Sequence, residues 1–92
     1  MRYTIHTKNK IPFKIKVIKV YQRLRAILLD SKNREVCHWW LTSSNASKRY
    51  NPFKPAPSIV HFLVLNKLDT NELQKLYEIM YCVEENDEIV FA

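Results

Sequence analysis

Basic side chains are concentrated in one short stretch of the chain. Residues 14–25 carry five cations, Lys14, Lys16, Lys19, Arg23 and Arg25. A cation that contacts a phosphate releases condensed counterions, and this release drives association with nucleic acid regardless of sequence. We therefore predict that the five side chains gather on the polar side of a half-buried element and contact phosphates. The alternative interpretation is a solvated basic surface without a ligand.

The loop expected over residues 43–57 combines cations with aromatic rings. Its relevant side chains are Lys48, Arg49, Tyr50, Phe53 and Lys54. Single-stranded nucleic acid is bound by this mixture, because cations follow the backbone while rings stack on bases. The sequence predicts Lys48, Arg49 and Lys54 as phosphate contacts and Tyr50 as a stacking residue. Alternatively, Tyr50 and Phe53 anchor the loop to the core.

Two adjacent tryptophans, Trp39 and Trp40, must face opposite sides of a strand. Both are buried only if the sheet is covered on both faces. If one face is uncovered, one ring is exposed, and we predict Trp40 as a second stacking residue. An exposed tryptophan is also typical of protein interfaces.

Residues that could catalyse a reaction are few and scattered. His6, His38 and His61 each fall in a predicted strand, and a zinc site would need all three to converge. Metal-free cleavage of RNA needs a base, an acid and a cation, which His6 or His38 could supply together with arginines. Such residues occur in most basic domains, so we expect no catalytic site, no metal and no cofactor. A small ribonuclease is the alternative.

Composition excludes several large classes of enzyme. The 92 residues contain no glycine, so the phosphate-binding loops of nucleotide enzymes and the nucleophile elbow of hydrolases are absent. Of the fifteen basic residues, thirteen lie in residues 1–55, which contain only two of the nine acids. Such an asymmetry is typical of proteins with a polyanion-binding half. The length indicates a single domain over residues 1–92.

The elements that position these residues are strands in the first half. Residues 2–7 alternate as a strand, and residues 13–21 and 24–30 fit two strands of a hairpin. Residues 13–29 also fit one basic amphipathic helix, which would give a ferredoxin-like β-α-β-β-α-β order. We favour the hairpin, because a turn at Asp30 with Asn33 in left-handed geometry leads into a further strand over residues 35–42.

The second half predicts one helix between two strands. The apolar run Ser58 to Leu65 is interpreted as a central strand. Asp69 and Glu72 form a capping-box pattern that starts a helix extending to Glu84. Asn86 suits its C-cap, and a last strand covers residues 87–91. The predicted fold is α+β, with an antiparallel meander of five or six strands packed on this C-terminal helix.

These features favour a small basic protein that binds RNA or single-stranded DNA without chemistry. A protein-interaction inhibitor is the alternative, because an exposed tryptophan and a two-sided charge distribution also suit a protein partner. The absence of glycine with ten lysines and seven asparagines resembles small proteins of AT-rich phage genomes, among which antitoxins and counter-defence proteins would fit. We expect the two cysteines to be reduced thiols, which indicates a cytoplasmic protein. No apolar run is long enough to span a bilayer, so we expect no membrane contact. Its oligomeric state stays open.

Overall fold

The computed structural model describes residues 1–41 and 50–92. Lys48 and Arg49, two of the predicted phosphate contacts, lie outside these ranges. The described elements are, in chain order, β1 (Arg2–Ile5), β2 (Lys14–Val20), β3 (Arg23–Leu29), β4 (Glu35–Trp40), α1 (Ser58–Leu63), a short 3₁₀ helix (Leu65–Lys67), α2 (Thr70–Met80) and β5 (Glu88–Phe91).

Residues 14–29 form the predicted hairpin. β2 and β3 pair antiparallel from Lys14 opposite Leu29 to Val20 opposite Arg23. β-branched residues that alternate with lysines favour this geometry, since each strand then buries one side chain in two. The helical interpretation of this stretch, and with it the ferredoxin-like order, is excluded.

The turn between β3 and β4 is held by Asp30. One carboxylate oxygen accepts hydrogen bonds from the backbone N–H groups of Lys32 and Arg34, each at 2.9 Å. These bonds, that from Arg34 most of all, lower the pKa of Asp30. Asn33 has φ 61°, so the left-handed position predicted for it is confirmed.

One five-stranded sheet has the order β1-β5-β2-β3-β4. The pairs β5–β2, β2–β3 and β3–β4 are antiparallel, whereas β1 and β5 run parallel with Tyr3 opposite Ile89. The fold is α+β, as the sequence predicts. The meander is limited to β2–β4, because the last strand inserts between β1 and β2.

Helix α2 begins as predicted and ends early. Asp69 caps it by accepting from the backbone N–H of Glu72 at 2.8 Å, and the Glu72 carboxylate accepts from the N–H of Asp69 at 3.0 Å. The helix ends at Met80 instead of Glu84. Asn86 has φ 70° in the turn that leads to β5, so its left-handed geometry serves that turn and no helix C-cap.

The strand predicted over Ser58 to Leu65 is wrong. These residues form α1 and the start of the 3₁₀ helix, with Val60 and Val64 fully buried four positions apart. An unbroken apolar run does not distinguish a buried strand from a helix by its periodicity. Burial at a spacing of four, with Phe62 71% exposed between them, is the helical pattern.

The core lies between one face of the sheet and the helices. Its sheet side includes Ile15, Val17, Ala26, Leu28 and Ile89, and its helical side includes Val60, Val64, Leu76 and Met80. We call this side of the sheet the inner face and the opposite side the outer face. The radius of gyration is 12.1 Å, close to the roughly 12 Å expected for this length. Within the two described ranges, no helix is long and apolar enough to cross a membrane.

Candidate nucleic-acid interface

The outer face carries most of the cations of the sheet. Strand register places Arg2 and Lys16 on either side of Glu88, Lys14 beside Val90, and Arg25 opposite Trp40. Between the cations lie half-buried apolar side chains that do not belong to the core, Ile18, Ile27, Leu29 and Val90. Among the residues of the five strands, five cations thus share this face with two carboxylates, Glu35 and Glu88.

Trp40 lies on the outer face at the β4 edge of the sheet and contacts two of these cations. The guanidinium carbon of Arg25 lies 4.2 Å from the centroid of the indole ring, and that of Arg23 lies 4.4 Å from it. The arginines are two residues apart on β3, and Trp40 is the cross-strand neighbour of Arg25 on β4. Each cation–π contact contributes roughly 0.5–1 kcal/mol at an exposed site. The ring of Trp40 therefore contacts two guanidinium groups.

Arg25 is the more deeply placed of the two arginines. Its Nε is shielded from solvent and has no hydrogen-bond partner among residues 1–41 and 50–92. An arginine carries five N–H donors and no acceptor. The packing on Trp40 therefore orders this side chain.

Trp39 and Trp40 lie on opposite faces of the sheet. Trp39 is 3% exposed and donates its indole N–H to the carbonyl oxygen of Pro52 at 2.9 Å. Trp40 lies on the outer face and is half-buried, not fully exposed, and its predicted stacking role stays a prediction. Two guanidinium groups lie over its ring.

One carboxylate reduces the positive charge of the outer face. Glu88 pairs with Lys14, with 3.2 Å between Nζ and Oε1. The hydrogen bond from Lys14 lowers the pKa of Glu88 against the opposing effect of burial, and Lys16 and Arg2 lower it further. Lys16, Arg2, Arg23 and Arg25 form no ion pair with a residue of the described ranges. The acidic C-terminal segment thus neutralises Lys14 and leaves four cations.

Glu88→Gln is expected to strengthen binding of a polyanion about threefold by releasing Lys14, with the salt dependence steeper by about 0.7 in log–log slope for a single strand.

The same substitution is expected to change how stability depends on pH. Because the pKa of Glu88 is lowered in the folded state, its carboxylate stabilises the protein at pH values above its unfolded pKa. This contribution is lost as the pH falls through the folded pKa. The difference in melting temperature between Glu88→Gln and the wild type should therefore narrow below about pH 4. Thermal unfolding from neutral to acid pH measures it, and unchanged binding by the variant would contradict the assignment.

Lys19 does not share this face. It lies opposite Leu24 at the end of β2, on the same side of the strand as Val17. The expectation that all five cations of residues 14–25 gather on one side is wrong for this residue, because strand alternation separates it from Lys16 and Ile18.

Of the residues predicted from the loop, the aromatic ones that the structure describes pack on the inner side of the molecule. Phe53 is fully buried between Trp39 and Tyr77, with ring centroids 5.9 Å and 5.2 Å away. Tyr50 is half-buried, with its ring edge-on to Tyr81 at 5.5 Å. Lys54 is exposed in the turn that follows Phe53, where its N–H donates to the carbonyl oxygen of Asn51. The interpretation that aromatic residues anchor this segment therefore describes it, and Tyr50 and Lys54 are not brought to the outer face.

Histidines do not converge. His6 follows β1 at one edge of the sheet, His38 lies on β4 at the other edge, and His61 lies on α1. Five strands separate the edges by about 19 Å. Within the described ranges, no group of three histidine, cysteine or carboxylate side chains could hold a metal ion. His38 Nδ1 lies 3.1 Å from the carboxylate of Glu35, beside Trp40 on the outer face.

Arg2 is the functional candidate that sequence reasoning missed. It is far from residues 14–25 in sequence and reaches the outer face only because β1 pairs with β5. Its position in an alternating strand, opposite to Tyr3 and Ile5, is the only signal in the sequence.

Comparisons with models of known protein families, with curated proteins and with solved structures find no match to this chain.

Proposed function

We propose that this protein binds single-stranded nucleic acid, RNA or DNA, on the outer face of its sheet and catalyses no reaction there. The observation that carries the proposal is the contact of Arg23 and Arg25 with the ring of Trp40, on the face that also carries Lys16 and Arg2. Guanidinium groups donate to phosphate oxygens in a fixed planar geometry and also stack on bases. Arginines that are held on a tryptophan ring can therefore both bind a phosphate and stack on a base.

The shape of the face favours a single strand over a duplex. A sheet surface with apolar side chains between cations suits splayed bases and their backbone. Many proteins that read a duplex insert a basic helix into the major groove. The exposed positions of α2 include Thr70, Asn71, Gln74 and Glu78, with Lys75 as the only cation among them, so this helix lacks a basic surface.

Salt dependence tests the proposal. With four to five phosphates contacted by the outer face, the log–log slope of affinity against salt is expected to be about −3 for a single strand. Fluorescence anisotropy of a labelled oligonucleotide at several salt concentrations measures it. An affinity that does not change with salt, or no binding at low salt, would rule the proposal out.

The absence of catalysis has its own measurement. The pair of His38 and Glu35 on the same face is the arrangement that would favour a ribonuclease, because a histidine oriented by a carboxylate can act as a base. We expect labelled RNA to stay intact over hours with the purified protein. Cleavage that His38→Ala removes would establish the ribonuclease instead.

A protein partner is the second candidate, favoured by one observation on α1. Phe62 is 71% exposed and Ile59, three residues earlier on the helix, is 40% exposed. An inhibitor or antitoxin would place such side chains against an apolar pocket of its target. After nuclease treatment, a stoichiometric protein that co-purifies with the wild type and with Arg25→Ala, but is lost with Phe62→Glu, would favour this function.

The proposed setting is the cytoplasm, where nucleic acid is the available polyanion. Cys37 and Cys82 are both free, which suits a reducing compartment.

A further inference from the structure

The tip of the β2–β3 hairpin has an unusual backbone for its sequence. Val20 pairs with Arg23, so the loop consists of Tyr21 and Gln22 alone. Both have positive φ, 50° and 67°, which is the pattern of a type I′ turn. That turn is normally built from Asn-Gly, because a side chain with a Cβ atom is disfavoured in left-handed geometry and a bulky one especially so.

The other left-handed residues of the described ranges are of the favoured type. They are Asn33 and Asn86, each in a turn where the asparagine relieves the same strain. The hairpin tip instead holds a tyrosine that is 93% exposed. The ring therefore adds strain to the turn and buries almost none of its surface in return. Strained backbone that presents an exposed side chain is concentrated at functional sites.

The tip adjoins the stack of arginines on Trp40. Arg23 is the residue that follows the two-residue turn, and its guanidinium lies on the indole ring. Tyr21 is thus separated by a single residue from the first cation of the proposed interface. A nucleic-acid strand that follows Arg25 and Arg23 along β3 reaches the hairpin tip next.

We propose that Tyr21 stacks on an unpaired base of the strand bound by the outer face, so that the hairpin tip is the end of the binding site. The inference rests on the proposed function and adds to it one aromatic residue, which contacts a base and no phosphate. An aromatic stacked on a base contributes about tenfold to a hundredfold to affinity, and it tolerates any base because each has a π-face. The two-residue turn keeps the ring clear of the sheet, which a longer and more flexible loop would not.

Three variants separate the ring from the backbone strain. Tyr21→Asn removes the ring and relieves the strain, Gln22→Gly relieves the strain and keeps the ring, and Tyr21→Phe keeps both. Affinity for a labelled oligouridine and melting temperature are measured for each. Tyr21→Asn is expected to melt higher by about 3 °C or more and to bind about tenfold or more weakly. Gln22→Gly should also melt higher with unchanged affinity, and Tyr21→Phe should bind like the wild type.

The salt slope and an abasic probe complete the test. Tyr21→Asn should keep the slope of the wild type, because no phosphate contact is lost. Placing abasic sites in the oligonucleotide should weaken the wild type more than Tyr21→Asn.

Wild-type affinity in Tyr21→Asn, with binding lost in Arg23→Ala/Arg25→Ala, would overturn this inference and leave the proposed function standing. No binding by the wild type would overturn both. A lower melting temperature for Tyr21→Asn would show that the ring supports the fold and would also overturn the inference.

Discussion

Replacing Arg23 and Arg25 together by alanine is expected to weaken binding of single-stranded nucleic acid about a hundredfold or more. Two phosphate contacts are lost, and with them two planar groups on which bases stack. The log–log slope against salt should become shallower by about 1.4, since each lost contact accounts for about 0.7. Anisotropy titrations at several salt concentrations measure both effects.

The fold should tolerate this double substitution. Both arginines belong to the outer face, and the Nε of Arg25 has no hydrogen-bond partner within the described ranges. Replacing Arg25 by alanine removes this shielded and unsatisfied N–H donor. The gain in stability offsets the loss of the cation–π contacts with Trp40. The melting temperature should therefore change by only a few degrees.

A matched control removes the same charge elsewhere. Lys19→Ala/Lys32→Ala also lowers the net charge by two, but Lys19 lies on the inner side of β2 and Lys32 is exposed in the β3–β4 turn. This control should retain most of the affinity. If both double variants lose affinity equally, net charge and not the outer face carries the binding, and the proposed site is wrong.

Arg25→Lys distinguishes charge from planarity. Lysine keeps the charge but lacks the flat fork that stacks on Trp40 and on a base. An affinity between the wild type and the double alanine variant, with an unchanged salt slope, is the expected result.

Local signals explain why much of the fold could be predicted. The hairpin of β2 and β3 follows from alternation, the left-handed Asn33 from its turn, and the start of α2 from the Asp69 and Glu72 spacing. Each of these depends on residues within a few positions of one another. The parallel pairing of β1 with β5 joins the two ends of the sequence, and no short segment carries a signal for it.

The candidate site needed the register as well as the pattern. Alternation alone separates Lys19 from Lys16 once the strand is chosen, but only the pairing of β3 with β4 places Arg25 opposite Trp40. The turn at Tyr21 gave no signal because it lacks the residues that announce a type I′ turn. The residues Tyr21 and Gln22, which are unusual for this turn, made the tip difficult to predict. The same unusual residues make it a functional candidate.

Phe53→Ala is expected to be the most destabilising single substitution in this part of the core, by about 3–5 kcal/mol. Phe53 has no exposed surface and contacts the rings of Trp39 and Tyr77, so alanine leaves a cavity between the sheet and α2. A protein of this length has a free energy of unfolding of about 5–14 kcal/mol, so the loss is a large share of the total. Urea unfolding followed by tryptophan fluorescence measures it, because Trp39 reports on this contact.

Phe62→Ala is the matched control for the same chemical change. Phe62 is 71% exposed on α1, and its truncation should change the free energy of unfolding by less than about 0.5 kcal/mol. Equal destabilisation by both variants would contradict the packing described for Phe53. The contrast also bears on function, because Phe53 anchors the segment after residue 49 to the inner side of the molecule. A Phe53→Ala variant that binds oligonucleotide like the wild type at a temperature where it is still folded would show that binding does not depend on the anchoring of this segment by Phe53.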